Sequence, residues 1–295
     1  MRLALAAVVA FALCACGSSS AAVTPAVAPG LSATPSGGAR LAAASPSPAA
    51  ASSPTVMSFS GTVTQSNVWK GTVNITAATT IGQGVTVTVA PGTTINITAD
   101  PALSIFVNGT LDIQGTKGAK VIVQPTVAGG HWHRFVVGVG GQLLAHYLVE
   151  SGGGFRLAGG SVTLIDSAMS RAYLDLLEGS GTVDVEYSSI GLEPGLADTT
   201  HCDMHFDPGH NTLKVTHTNI STGVYGMMFY GGAGADFTYD NWFSNQINVE
   251  TLSSYPVSGD FSNGWFDRSP ASGAGITAHN LAAARLPIGQ AGPRP

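Results

Sequence analysis

Apolar and polar positions alternate along much of the chain from Ser58 onward. Residues 71–76 (Gly-Thr-Val-Asn-Ile-Thr), 84–90 (Gly-Val-Thr-Val-Thr-Val-Ala) and 92–98 (Gly-Thr-Thr-Ile-Asn-Ile-Thr) each repeat with period two and are bounded by Gly, Pro or Asn. That period marks half-buried β-strands. Further short runs follow at 103–113, 119–124, 135–139, 142–149 and 160–165. No long stretch has the 3.6-residue period of an amphipathic helix; only 168–178 has helix-compatible composition, and it is ambiguous between helix and strand. Short, regularly spaced strands suit a sandwich, a barrel or a solenoid.

Internal repetition selects among these. His201-Cys-Asp-Met-His-Phe-Asp207, Val224-Tyr-Gly-Met-Met-Phe-Tyr230 and a third segment from Ile247 recur at a spacing of about 23 residues. Each is followed by a similar close: 215–220, 237–242 and 257–265. A period in this range marks a repeat architecture, whose coils bury their apolar faces only by stacking on one another. About 240 residues at that period predict roughly eight to ten coils. The register places Met228 beside His205 and Tyr230 beside Asp207 on adjacent coils.

The run from Ser60-Gly-Thr-Val-Thr through Trp69-Lys-Gly-Thr-Val-Asn-Ile, Ala90-Pro-Gly-Thr-Thr-Ile-Asn-Ile97 and Phe106-Val-Asn-Gly-Thr-Leu-Asp-Ile-Gln-Gly-Thr116 resembles the opening of secreted right-handed parallel β-helix proteins of the pectate-lyase-like superfamily. Tyr225-Gly-Met-Met-Phe and Asp240-Asn-Trp resemble their repeats. The resemblance implies an all-β, right-handed parallel β-helix (a β-solenoid) over residues 57–268, with 269–295 as a C-terminal cap or tail. That superfamily holds lyases, hydrolases, tailspikes and adhesins, so the fold alone licenses no activity.

The N-terminus sets the expected location. Met1-Arg2, a short apolar run and Leu13-Cys-Ala-Cys16 describe an export signal. The run is shorter than the ~20 residues of a membrane span. It resembles a bacterial lipoprotein signal, which implies a signal peptide at 1–15 and lipidation of Cys16. Residues 16–56 then form a Ser/Ala/Pro linker with Arg40 as its one charge, too poor in bulky apolar groups to fold. The expectation is an exported protein, lipid-anchored to the cell envelope and held to its membrane through that lipid. Gly17, where some lipoproteins carry an inner-membrane Asp, favours the outer membrane or cell surface.

Net charge is −5, with 17 acidic and 12 basic residues, and no basic stripe favours nucleic acid as a partner. Every acidic residue lies between Asp100 and Asp267, so polar chemistry belongs to the later coils. With Cys14 removed and Cys16 lipidated, Cys202 has no disulfide partner.

The densest polar segment is 200–210. Strand alternation predicts Cys202, Met204 and Phe206 inside, with His201, Asp203, His205 and Asp207 on one outer face. His201, Asp203, His205 and His210 are candidate metal ligands by residue type, although no cofactor is expected and a divalent ion is the only alternative considered. His201, Asp203, His205, Asp207 and Tyr230 are candidate ligand contacts, and polysaccharide is the candidate partner. A catalytic reading, as a polysaccharide lyase or glycoside hydrolase, would use Asp203, His205, Asp207 and Asp175. The body has few Arg and Lys to neutralise a uronate, which weighs toward a non-catalytic glycan-binding, adhesive or structural surface protein. Trp132 is expected to pack inward, with His133 and Arg134 facing water.

Overall fold

A computed structural model describes residues 56–191, 201–270 and 275–295. The signal peptide, Cys16 and nearly all of the linker lie outside the described residues. Among the described residues there is no helix, and the strands form a right-handed parallel β-helix. Among the described residues strand pairing is parallel throughout, apart from one isolated antiparallel bridge between Thr116 and Ala119.

Three lateral sheets arise because each coil turns twice between its strands and once before the next coil. Sheet I stacks Thr72–Ile75 on Thr94–Ile97 and continues through Val149, Ala168, Ser189, Asn219 and Asn241 to Trp265. Sheet II stacks Thr79–Ile81 on Ile105–Val107 and continues through Phe135, Phe155, Leu177, Met204 and Met227 to Val249. Sheet III runs from Asn67–Trp69 through Val87, Leu111, Leu143, Val162, Val183 and Leu213 to the terminal pair Ile276–Thr277. The helix-compatible segment 168–178 is a strand, Ala168–Ser170, then a corner, then the start of the strand Leu177–Glu186.

Alternation explains the core. In sheet I one interior row reads Val73, Ile95, Val123, Glu150, Met169, Ile190, Ile220, Trp242 and Phe266. Phe135 and Phe155 stack in sheet II with centroids 5.3 Å apart. Glu150 breaks the apolar row. It is fully buried, and its Oε1 accepts the Gly153 N–H at 2.8 Å. Outside sheet I an amide ladder forms, with Gln124 donating to Asn96 and Asn96 donating to Asn74.

The turn from sheet III to sheet I repeats one device. Tyr147, Asp166, Tyr187, His217, Tyr239 and Asn263 all sit there with positive φ, between 48° and 63°. The rings of Tyr187, His217 and Tyr239 stack on each other, 4.6 and 4.9 Å apart. In the four middle coils the next residue, Ser167, Ser188, Thr218 or Asp240, carries a side-chain oxygen. The backbone N–H of Ser167 donates to Ser188 Oγ, that of Ser188 to Thr218 Oγ1, and that of Thr218 to Asp240 Oδ1. This buried relay satisfies amides that the tight corner withholds from the sheets.

The C-terminal segment doubles back along that corner. Ala282 N–H donates to Gly264 O, and Leu286 and Asn241 exchange two hydrogen bonds. Gly292 N–H donates to His217 O. Arg294 lies over the Tyr187 ring and grips Asp166 through its own N–H, Nε and a terminal guanidinium nitrogen. The tail thus straps together coils from Gly264 back to Asp166.

Candidate functional site

The site lies on the outer face of sheet II. In register there, Val136, Arg156, Glu178, His205, Met228 and Glu250 follow one another on successive coils. Met228 lies beside His205 as the repeat predicts, and Tyr230 N–H donates to Phe206 O, which sets Tyr230 against Asp207.

At the early end, Glu178 receives two guanidinium groups. Arg156 approaches Glu178 Oε1 at 2.7 Å, and Arg134 contacts the same oxygen. Arg134 does not face water as alternation suggests. It is 4 % exposed, because Glu178 from two coils on draws its head group against the sheet. His133 bonds Ser104 Oγ through Nδ1 at 2.9 Å. Burial, and then the charges of Arg134 and Arg156, hold its pKa below the usual imidazole value. Trp132 is fully buried.

Asp175 organises the centre. Its Oδ1 accepts the Cys202 N–H at 2.9 Å and lies 3.3 Å from His201 Nδ1, while its Oδ2 accepts from His205 Nδ1 at 3.2 Å. Burial pushes the Asp175 pKa up, but the hydrogen bond and charge of His205 and the charge of His201 outweigh it, and the net shift is downward. The hydrogen bond to Asp175 is the main cause that raises His205 above its ordinary value. The other face of the dyad points along the surface, with His205 Nε2 3.9 Å from Asp207 Oδ1.

Beyond His205 come tyrosines. Tyr230 meets the His205 ring edge-on at 5.6 Å and hydrogen-bonds Glu250 through its hydroxyl. Burial, and then that bond, push its pKa up. Tyr255 packs against Tyr230, and Tyr225 lies edge-on to His201. Beside Asp207 an open recess of about 440 Å³ is lined by Arg156, Ala158, Ser180, Asp207, His210 and Thr212.

The residues of 201–210 do not share one outer face. His201, His205 and Asp207 reach the surface, but Asp203 is fully buried and points into the turn between sheets I and II, next to Gly191 and Gly223. Cys202 is buried without joining the apolar core cluster; its Sγ lies 3.1 Å from His201 Nδ1. Cys202, Met204 and Phe206 are buried as alternation predicts, so Asp203 is the departure. His210 lines the recess rather than approaching His201. Among the described residues, the donor atoms that converge within 4.8 Å of one another belong to Asp175, His201 and Cys202, in place of the quartet His201, Asp203, His205 and His210. Glu178 and Glu250 went unrecognised in the sequence, and Arg134 was expected to face water, since each acquires its role through a neighbouring coil. Comparison with family models, with curated proteins and with solved structures finds no match for this chain.

Proposed function

We propose that this protein is an envelope-anchored lipoprotein whose β-helix displays a non-catalytic glycan-binding face on sheet II. The supporting observation is the continuous row from Arg156 through His205 and Asp207 to Tyr230 and Glu250, edged by an open recess. Sugar rings offer hydroxyls to fixed charged groups and C–H faces to tyrosine rings, and this row supplies both along one direction. A solenoid face suits an extended polymer, because equivalent positions recur on each coil. Lipidation at Cys16, export to the outer membrane or cell surface, and kinship with pectate-lyase-like proteins belong to the same reading and rest on the sequence. Pull-down on insoluble and immobilised envelope and extracellular polysaccharides tests the ligand. Retention that falls at least tenfold in Tyr230→Ala and Asp207→Ala supports it; no retention on any glycan removes it. Mass spectrometry of the mature N-terminus tests the anchor.

One observation favours a second reading, as a polysaccharide lyase or glycoside hydrolase. Asp175 holds His205 through Nδ1 and leaves Nε2 facing Asp207, an arrangement suited to moving a proton. Turnover of a glycan that disappears in His205→Gln while binding persists would establish it.

A further inference from the structure

We infer that Asp175, His201 and Cys202 form a binding site for a borderline-soft divalent cation, Zn²⁺, at the edge of sheet II. The three donors come from two coils. Asp175 precedes the strand Leu177–Glu186, and His201 and Cys202 open the strand Cys202–Phe206 stacked upon it. His201 Nδ1 is 3.3 Å from Asp175 Oδ1 and 3.1 Å from Cys202 Sγ, and all three donors fall within 4.8 Å of one another. A tetrahedral zinc shell, with bonds of about 2.0–2.1 Å to N and O and about 2.3 Å to S, separates neighbouring donors by about 3.3–3.6 Å. The two spacings from His201 are close to that shell before any metal-driven adjustment, and the carboxylate and sulfur lie within 4.8 Å of each other.

The surroundings fit a cation better than they fit a thiol. Cys202 is buried beside polar groups rather than in the apolar core, and its proton is held tightly, first by burial and then by the charge of Asp175, with Asp203 and Glu250 adding to it. A metal reverses that balance: the Cys202 S–H bond breaks, its proton leaves to solvent, and the sulfur lone pair forms the S–Zn bond. His201 binds through the Nδ1 lone pair, with its proton on Nε2. The carboxylate is oriented in advance, since Oδ1 accepts from the Cys202 amide and Oδ2 from His205. Such outer partners commonly set metal affinity by about 10–100-fold. His201 is 55 % exposed, so water can take the fourth position. One thiolate, one imidazole and one carboxylate select against Ca²⁺ and Mg²⁺, which need six or more oxygen ligands. This site does not depend on the glycan reading and is tested without glycan.

The experiment uses the full chain with Cys14→Ser and Cys16→Ser, which leaves Cys202 as its one thiol. Reduced, metal-free protein is titrated with Co²⁺, and Zn²⁺ then competes. The expected result is a sulfur-to-cobalt charge-transfer band that saturates at one ion per chain, is abolished by equimolar Zn²⁺ and is untouched by Ca²⁺. Cys202→Ser loses the band. His201→Ala, at an exposed position where folding is not at stake, weakens Zn²⁺ at least 100-fold, and His205→Ala weakens it about 10–100-fold. Absence of the band in the parent chain, displacement of Co²⁺ by Ca²⁺, or unchanged Zn²⁺ affinity in His201→Ala would overturn the inference.

Discussion

Asp175→Asn isolates the bond that organises the outer face of sheet II. The amide keeps an oxygen for the Cys202 N–H and removes the charge that His205 and His201 face. Asp175 and His205 side chains are 9 % and 24 % exposed, so water screens their bond only in part. Charge-assisted hydrogen bonds contribute about 1.5–3 kcal/mol; discounting for the exposed edge of His205 leaves about 1–2 kcal/mol. The sign of its pH dependence follows from both shifts. His205 has a raised folded pKa, so its contribution is fully present below the unfolded value of about 6.5 and is lost as pH rises through the folded value. Asp175 has a lowered folded pKa, so its contribution is present above about 3.9 and is lost as pH falls through the folded value. The variant should therefore be most destabilised, by about 2–8 °C in Tm, between about pH 4 and 6.5. Above the folded His205 pKa the difference should shrink. Histidine NMR supplies the direct assay: in Asp175→Asn the His205 midpoint should fall, because burial and Arg156 are then opposed only by the charge of Asp207. A His205 midpoint that does not move, or a stability difference that grows above pH 7, would refute the reasoning.

Three further perturbations follow from the tail and the two kinds of corner. Arg294→Ala removes the clasp on Asp166; with Arg294 46 % exposed the loss should be about 1 kcal/mol, a Tm drop of about 2–4 °C, and hydrogen exchange at Gly292 and Leu286 should accelerate. Unchanged exchange there would count against the strap. Asp240 is fully buried, and burial holds its pKa well above the usual carboxylate range, so its ionisation opposes folding as pH rises past about 4. Asp240→Asn should flatten that decline in thermal melts across pH 4–8, while Asp240→Ala should destabilise by about 1–3 kcal/mol at every pH by orphaning the Thr218 amide. Gly153→Ala should prevent close packing of its coil, since a Cβ there would lie 2.1 Å from Trp132 Cε2; a near-native melt would show that the indole can yield.

The strands were legible because their period is local. Thr72 to Ile75, Thr86 to Val89 and Thr94 to Ile97 show in their own residues which positions face in, and they stack where the alternation puts them. The coil-to-coil register of 205 with 228 was legible too, because those segments repeat at nearly equal spacing. The site was only half legible. Coils elsewhere differ in length, as Thr94 pairs with Ile122 but Ala168 with Ser189, so the partner of a given side chain cannot be counted off at a fixed period. Glu178 meeting Arg134 and Arg156, and Asp175 meeting His201 and His205, are products of those unequal lengths. Asp203 defied alternation, turning into the corner between sheets I and II where Gly191 and Gly223 leave room for it. The strap escaped altogether: residues 282–294 have no period, and their partners are side chains and carbonyls spread over the corner.

Arg294 follows Asp166 by 128 residues, and this separation orders how the protein can be finished. Each coil can settle on its predecessor as the chain folds, but the corner at Asp166 stays unfastened until Arg294 arrives. A chain cut short between Asn241 and Leu286 would carry well-formed early coils and an open seam at Tyr187, His217 and Asn241. A protease that meets that seam finds backbone to cut, so the tail shields the corner as well as closing it.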